Sequence, residues 1–255
     1  MDQMLEGKVI IITGGGGGIG RAAAIACTTA GARVVVADLA VASGEATVEA
    51  VRKLGGEAIF VSTDVAVEVE VEELLAAALR AYGRIDGAFN NAGLAQANVA
   101  LHELTATQWR RTQSVNYDGI FFCMKHEILA MLKTGGGAIV NTSSALARVA
   151  MPRAADYCGS KSGVLGLTRG AALDYGREGI RVNAILPSAV NTPMVQALTS
   201  DPQFAGMIDQ LSAAYPVGRI GSPEEVAAAA VWLLSDQASF VTGTELAVDG
   251  GFLAT

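Results

Sequence analysis

KVIIITGGGGGIGRAAAIACTTAGARVVVAD, residues 8–38, decides the fold. Lys8–Ile12 is a short β-branched run. Five glycines follow it, then an alanine-rich helical stretch that Gly31 stops before a second apolar run, Arg33–Ala37. Strand, glycine turn, helix and strand in that order form a βαβ unit, which crosses right-handed and requires a parallel sheet. Glycines let backbone approach a phosphate closely, and a helix N-terminus supplies N–H groups and a favourable dipole. The glycine run fits two templates. Gly15, Gly17 and Gly20 match G-x-G-x-x-G, whereas Thr13, Gly14, Gly18 and Gly20 match T-G-x-x-x-G-x-G. Asp38 closes the second strand, where a carboxylate accepts hydrogen bonds from ribose hydroxyls and repels a 2′-phosphate. The same Asp would equally cap the next helix. Leu39 and Ala40 offer no cation for a phosphate.

The alternation continues outward from this unit. A helix is predicted near Ala42–Leu54, a strand near Ala58–Val61, a helix near Glu68–Tyr82, a strand near Gly87–Phe89 and a long helix over Thr107–Lys133. Asp64 lies in a loop, and Asn90–Gly93, NNAG, ends the fourth strand on the side of the glycine turn, where the ligand crevice of such a sheet lies. Asn116 sits inside an apolar helix and must find partners there or cost stability. Ser222-Pro223-Glu224-Glu225 is a capping box with Pro at the first helical position, opening a helix through Trp232 and Leu234. Thr244–Val248 reads as the last strand.

Composition bounds the rest. The 255 residues contain no linker, charge run or repeat that divides them, so one α/β domain over residues 1–255 is expected. A hydrophobic fraction of 51% suits a parallel sheet covered on both faces, and no apolar run reaches the roughly 18 residues of a membrane span. A formal charge of −7 argues against nucleic acid as a partner. Met1–Gly7 carries no signal pattern, and a cytoplasmic location is expected. Cys27, Cys123 and Cys158 read as buried reduced thiols. His102 and His126 lie far apart, and no metal site is expected.

Tyr157 and Lys161 are four apart, which puts them on one face of a helix. A cation beside a phenol favours phenolate, so the pair is a candidate general acid/base with the Tyr pKa lowered. Ser144 lies thirteen residues upstream, at the end of the apolar run AIVNTSS.

Over its whole length the chain resembles the classical short-chain dehydrogenase/reductase family, through TGGGGGIG, Asp64, NNAG, Asn116, the NTSS run, YCGSK and NAILPSAVNTPM. The resemblance implies a single-domain Rossmann-like α/β fold, a doubly wound parallel sheet of about seven strands flanked by helices. It implies a dinucleotide-binding half over about 1–140 and a catalytic and substrate-binding half over about 141–255. It further implies oxidoreductase activity with NAD(H) or NADP(H), and a homotetramer. Carried over by position, Ser144 polarises the substrate oxygen and Tyr157 transfers the proton. Lys161 lowers the Tyr pKa and binds the nicotinamide ribose, Asn116 supports a proton relay, and Thr192 holds the carboxamide. Ser143 is the rival for the Ser144 role. The cofactor set so implied is Gly14, Gly18, Ile19, Gly20, Asp38, Asp64, Val65, Asn91, Ala92, Gly93, Tyr157, Lys161, Pro187, Val190 and Thr192, with NAD(H) favoured by Asp38.

Ser188 departs from the family, which usually has Gly after that proline. Either the backbone is ordinary there or the loop is shifted. Residues 189–217 are expected to form a substrate lid, in which Pro193, Met194, Val195, Leu198, Met207, Ile208, Leu211 and Tyr215 either pack as lid core or face the substrate. The expected substrate is a compact, mainly apolar secondary alcohol or its ketone, with cyclic compounds and diols among the candidates. Arg148 and Arg153 are the cations that could instead read an acid. Burial of Val226–Leu234 and of Phe252-Leu253 is expected to need other subunits. A catalytically idle dinucleotide sensor or scaffold is the alternative, and a Rossmann-like methyltransferase loses support once Tyr157 and Lys161 are weighed.

Overall fold

The structure is a computed structural model that describes residues 3–199 and 206–254; at positions 198, 199, 207, 211 and 214 only the backbone is described. Seven strands form one all-parallel sheet in the order β3-β2-β1-β4-β5-β6-β7. The strands are β1 (Val9–Thr13), β2 (Arg33–Asp38), β3 (Ala58–Ser62), β4 (Gly87–Asn90), β5 (Gly137–Thr142), β6 (Ile180–Pro187) and β7 (Glu245–Val248). The helices between them are α1 (Gly18–Thr29), α2 (Val41–Lys53), α3 (Glu68–Tyr82), α4 (Ala106–Gln113), α5 (Gly119–Thr134), α6 (Ala155–Tyr175), α7 (Pro193–Thr199), α8 (Met207–Ala214) and α9 (Pro223–Leu234).

Because the sheet is covered on both faces, its strands alternate between two cores rather than between core and water. Ile10, Ile12, Val34 and Val36 face α1, α2 and α9, while Val9, Ile11 and Val35 face α3, α5 and α6. The strand order reverses between β1 and β4, so their carboxyl ends open the ligand crevice. Thr13, Asn90 and Asn141 lie in register across that edge.

Three expectations are corrected. The helix expected over Thr107–Lys133 is α4 and α5 joined by a π-helical turn, Ser114–Asp118, which contains Asn116. Such single wide turns recur at functional sites because they rotate a side chain off the helical register. The apolar run Val226–Leu234 needs no second subunit: α9 packs on α1, with Val226, Ala227, Ala230, Val231, Leu233 and Leu234 buried within the chain. Phe252 stacks edge-on against Tyr215 at 5.4 Å, and Leu253 packs on a small core of Leu165, Ala184 and Leu186. Of the three cysteines, Cys158 is only partly buried. Burial pushes the Cys27 thiol up to about 12 and Cys123 well above the ordinary thiol value, so both are inert.

The capping box opens α9 as expected. Ser222 Oγ accepts from Glu225 N–H at 3.4 Å, and the Glu225 carboxylate accepts from Ser222 N–H at 2.8 Å. Among the described residues no helix is long and apolar enough to cross a membrane.

Candidate active site

The glycine turn resolves onto one template. Gly14 and Gly18 hold positive φ of 64° and 49°, a region L side chains rarely adopt, whereas Gly15 and Gly17 do not. A Cβ at Gly20 would lie 2.1 Å from Gly14 O, so α1 can start this close to the turn only with glycine there. The T-G-x-x-x-G-x-G reading is the structural one. Thr13 Oγ1 accepts from the N–H groups of Asn91 and Ala92 at 3.0 and 3.1 Å, tying NNAG to the turn. Asn91 Nδ2 donates to Thr13 O at 3.2 Å, so that side chain braces the glycine loop. Ile19 packs inward against the α1-side core.

Asp38 stands at the far end of the crevice. Its Oδ2 accepts from Gly16 N–H at 2.8 Å and its Oδ1 from Ala40 N–H at 2.9 Å. Each oxygen keeps a further lone pair for a ligand hydroxyl. Leu39 beside it is 67% exposed. Gly16 belongs to this corner and was absent from the expected set; only its place within the glycine run could have signalled it. Asp64 holds its own loop, accepting from Ala66 N–H at 2.9 Å, and Val65 is buried against Gly119.

At the other end the catalytic candidates converge. Ser144 stands near enough to Tyr157 for its hydroxyl to favour the phenolate, and Lys161 lies one turn on, with Nζ 5.6 Å from the Tyr157 ring centroid. Ser144 Oγ also accepts from Leu146 N–H at 3.1 Å, whereas the Ser143 hydroxyl is spent on Lys161 O at 2.8 Å. Geometry therefore separates the two serines. Lys161 is buried and donates to Thr142 O at 2.9 Å. A Cβ at Gly93 would sit 3.2 Å from Asn116 Oδ1 and 3.5 Å from Lys161 Nζ, so these three residues share one corner. Asn116 is fully buried and clamps Leu94, accepting from its N–H at 2.7 Å and donating to its carbonyl at 2.9 Å.

The electrostatics differ from expectation. Burial raises the Tyr157 phenol above its ordinary value. The Ser144 hydroxyl opposes that rise and Cys158 adds to it, with no lowering by Lys161. Burial alone pushes Lys161 down to about 8. In this arrangement the ammonium is aimed at Thr142 O, and desolvation outweighs any charge effect on the phenol.

Pro187 ends β6 opposite Val248, and Val190 bridges to Gly221. A Cβ at Gly18 would meet Thr192 Cγ2 at 3.2 Å, so the buried Thr192 closes on the start of α1. Ser188 is not among the positive-φ residues, and its hydroxyl donates to Asp249 O at 3.2 Å: the backbone there is ordinary. Tyr215 is buried, with its hydroxyl accepting from Ala189 N–H at 3.0 Å, so this side chain takes the packed alternative. The side chains of Leu198, Met207 and Leu211 lie outside the described residues. Arg148 is exposed and pairs with Glu245, as does Arg169; Arg153 is exposed with φ of 62°.

Acidic neighbours gather at one of the two histidines, His126. Glu68, Glu72 and His126 bring ligand atoms within 4.8 Å of one another, a grouping that the i,i+4 glutamates of α3 could have signalled. Lys125 Nζ lies 2.7 Å from Glu68 Oε1, so the group stands as an ion-pair network.

Two features went unseen in the sequence. A buried chain runs Glu127–Asn90–Asn141–Thr168: Asn90 Nδ2 donates to Glu127 Oε2 at 3.0 Å and to Asn141 Oδ1 at 3.1 Å, and Asn141 Nδ2 donates to Thr168 Oγ1 at 3.0 Å. Asp156, next to Tyr157, is buried and bonded to two other segments.

These residues fit a dinucleotide. The glycine turn leaves no room for a side chain at Gly14, Gly15, Gly16 or Gly20, Asp38 closes its far end, and Gly93 keeps the corner beside Lys161 open. Residues 14–253 match a family model described as enoyl-(acyl carrier protein) reductase. The chain is 50% identical over 98% of its length to a 2,5-dichloro-2,5-cyclohexadiene-1,4-diol dehydrogenase of Sphingobium indicum, 98% of which is covered. It is 40% identical to a cis-4-hydroxycyclohexanecarboxylate dehydrogenase of Sinomonas cyclohexanicum, with all of both chains covered. The crystal structure of levodione reductase superposes with a TM-score of 0.95 at 36% identity, covering 98% of this chain and 99% of that one. The chain belongs to the short-chain dehydrogenase/reductase family of oxidoreductases.

Proposed function

We propose that the protein is an NAD(H)-dependent dehydrogenase that interconverts a compact, mainly apolar secondary alcohol, cyclic or diol, with its ketone. The observation that carries this reading is the convergence of Ser144, Tyr157, Lys161 and Asn116 beside the glycine turn. The bound nicotinamide would take the carbinol hydride, and its positive charge would favour phenolate at Tyr157. Ser144 holds the substrate oxygen and Tyr157 Oη takes the hydroxyl proton during oxidation, returning it in reduction. Lys161, freed from Thr142 O, would stabilise phenolate, and Asn116 keeps the Leu94 backbone in place. Gly14, Gly18, Gly20, Asp64, Val65, Ala92, Gly93, Pro187, Val190 and Thr192 line the cofactor crevice, and Asp38 selects NAD(H).

The substrate class rests on two supports. The two dehydrogenases named above are named for hydroxylated six-membered rings, the 50% identical one for an uncharged diol and the 40% identical one for a carboxylate, and Arg148 is engaged by Glu245. Residues 200–205 of the expected lid lie outside the described residues; the described parts, 189–199 and 206–217, carry no Lys or Arg, with Arg219 just beyond them, so binding would come mainly from apolar burial at about 25 cal/mol per Å². The test is NAD+ reduction across cyclic and aryl secondary alcohols and diols. Turnover of cyclic substrates is expected, and failure on all of them would overturn the reading.

A further inference from the structure

We propose that Asp156 is a positioning residue that fixes the wall of the alcohol pocket against the helix carrying Tyr157. Asp156 lies in the first turn of α6, where an acid ordinarily serves its own helix's free N–H groups. Its carboxylate instead reaches outward. Oδ2 accepts from Ala97 N–H at 3.0 Å and from the Thr112 hydroxyl at 2.8 Å, while its backbone carbonyl accepts from Gln113 Nε2 at 3.0 Å. Asp156 is 1% exposed and Thr112 4%, so water does not compete for these bonds.

Residues 91–100 have no regular structure of their own and form the proposed wall, which leaves the catalytic corner at Gly93, where a Cβ would lie 3.5 Å from Lys161 Nζ. Two buried side chains hold this segment three residues apart: Asn116 grips Leu94 at both its N–H and carbonyl, and Asp156 grips Ala97. The Leu94 grip comes from the π turn. The Ala97 grip comes from the residue before Tyr157, so any shift of the wall is transmitted to the phenol. Asn98, at positive φ of 58°, follows directly, which makes the turn after Ala97 dependent on that anchor. Catalysis tolerates little misplacement of reacting groups, so a wall fixed to the proton-transfer residue sets both which alcohol fits and where its carbinol lies.

The proposal rests on the dehydrogenase reading, and its test has one arm that does not. Asp156→Ala and Thr112→Val should speed amide hydrogen exchange in the peptide containing Ala97 without speeding exchange in β1 or the glycine turn. In steady state, Asp156→Ala should raise the alcohol KM and lower kcat, together about tenfold or more in kcat/KM, since a charge-assisted bond is lost. The NAD+ KM should stay within about twofold. Asp156→Asn keeps an oxygen that accepts both bonds and should restore most of the loss. Unchanged exchange at Ala97 in a folded variant would overturn the proposal, as would equal rises in the alcohol and NAD+ KM. Should Asp156→Ala fail to fold, Thr112→Val decides by the same readouts. A wild-type protein that oxidises no alcohol defeats the dehydrogenase reading, and the exchange arm still judges Asp156.

Discussion

Glu127 is a fully buried carboxyl in the middle of α5, and replacing it with Gln tests the buried polar chain beneath the site. Burial pushes its pKa up to about 8, against which the Asn90 hydrogen bond only partly works. Two acceptors in this chain, Glu127 Oε1 and Asn90 Oδ1, have no partner, while Glu127 Oε2 and Asn90 Nδ2 are already bonded to each other. One proton on Glu127 supplies the missing donor, so the folded state holds the neutral acid. An unfolded Glu ionises near its ordinary 4.5, and the unfolded chain therefore binds fewer protons than the folded one between about pH 4.5 and 8. Stability contributed by this group is full below pH 4.5 and lost as pH rises through 8. At about 1.4 kcal/mol per unit the loss is about 3 kcal/mol at pH 7 and about 5 kcal/mol above pH 8. Gln matches the acid in shape, donates and accepts as it does, and does not titrate. Thermal unfolding from pH 5 to 9 should show Glu127→Gln gaining on wild type by roughly 10 °C, at about 2–4 °C per kcal/mol for a chain this size. Parallel melting curves across that range would refute a neutral Glu127.

Other outcomes follow from the same geometry. NAD+ should be favoured over NADP+ roughly ten- to hundredfold, since losing a charged hydrogen bond to Asp38 costs about 1.5–3 kcal/mol; equal kcat/KM with both cofactors would rule this out. Because Arg148 is held by Glu245, Arg148→Ala should leave the ratio of kcat/KM for matched alcohols with and without a carboxylate unchanged. A carboxylate preference lost in Arg153→Ala would instead identify Arg153 as an acid reader. Gly20→Ala should abolish dinucleotide binding measured by calorimetry, because its Cβ would lie 2.1 Å from Gly14 O. We expect a homotetramer, with the exposed Phe121, Leu129 and Leu132 of α5, rather than α9, as the apolar surface that needs cover. Sedimentation of a monomer at micromolar concentration would contradict that.

Much of the fold was legible because its information is local. The β-branched runs, the glycine turn and the Ser222 capping box each specify backbone within a few residues, and the observed elements follow them closely. What was illegible depends on distant partners. The burial of α9 is satisfied by α1, some two hundred positions earlier, so its composition alone read as an intersubunit face. The π turn at Ser114–Asp118 is set by hydrogen bonding that leaves no periodic trace. Tyr157 and Lys161 were legible as a pair, but their protonation reflects how deeply the fold buries each, which spacing does not encode. Glu127 did leave a signal. It falls on the buried stripe Cys123, Met124, Glu127, Ile128 and Met131, where an acid at helical spacing should have been read as buried.

The central claim is that Tyr157 transfers the proton while hydride moves between an alcohol carbon and NAD. Steady-state NAD+ reduction by wild type and Tyr157→Phe, on the best cyclic secondary alcohol, with NADH affinity measured by fluorescence titration in parallel, tests it most directly. The expected result is NADH affinity within about twofold and turnover lowered at least 10²- to 10⁴-fold, the typical contribution of a positioned general acid/base. Ser144→Ala should cost less. A Tyr157→Phe enzyme that turns over at the wild-type rate would contradict it.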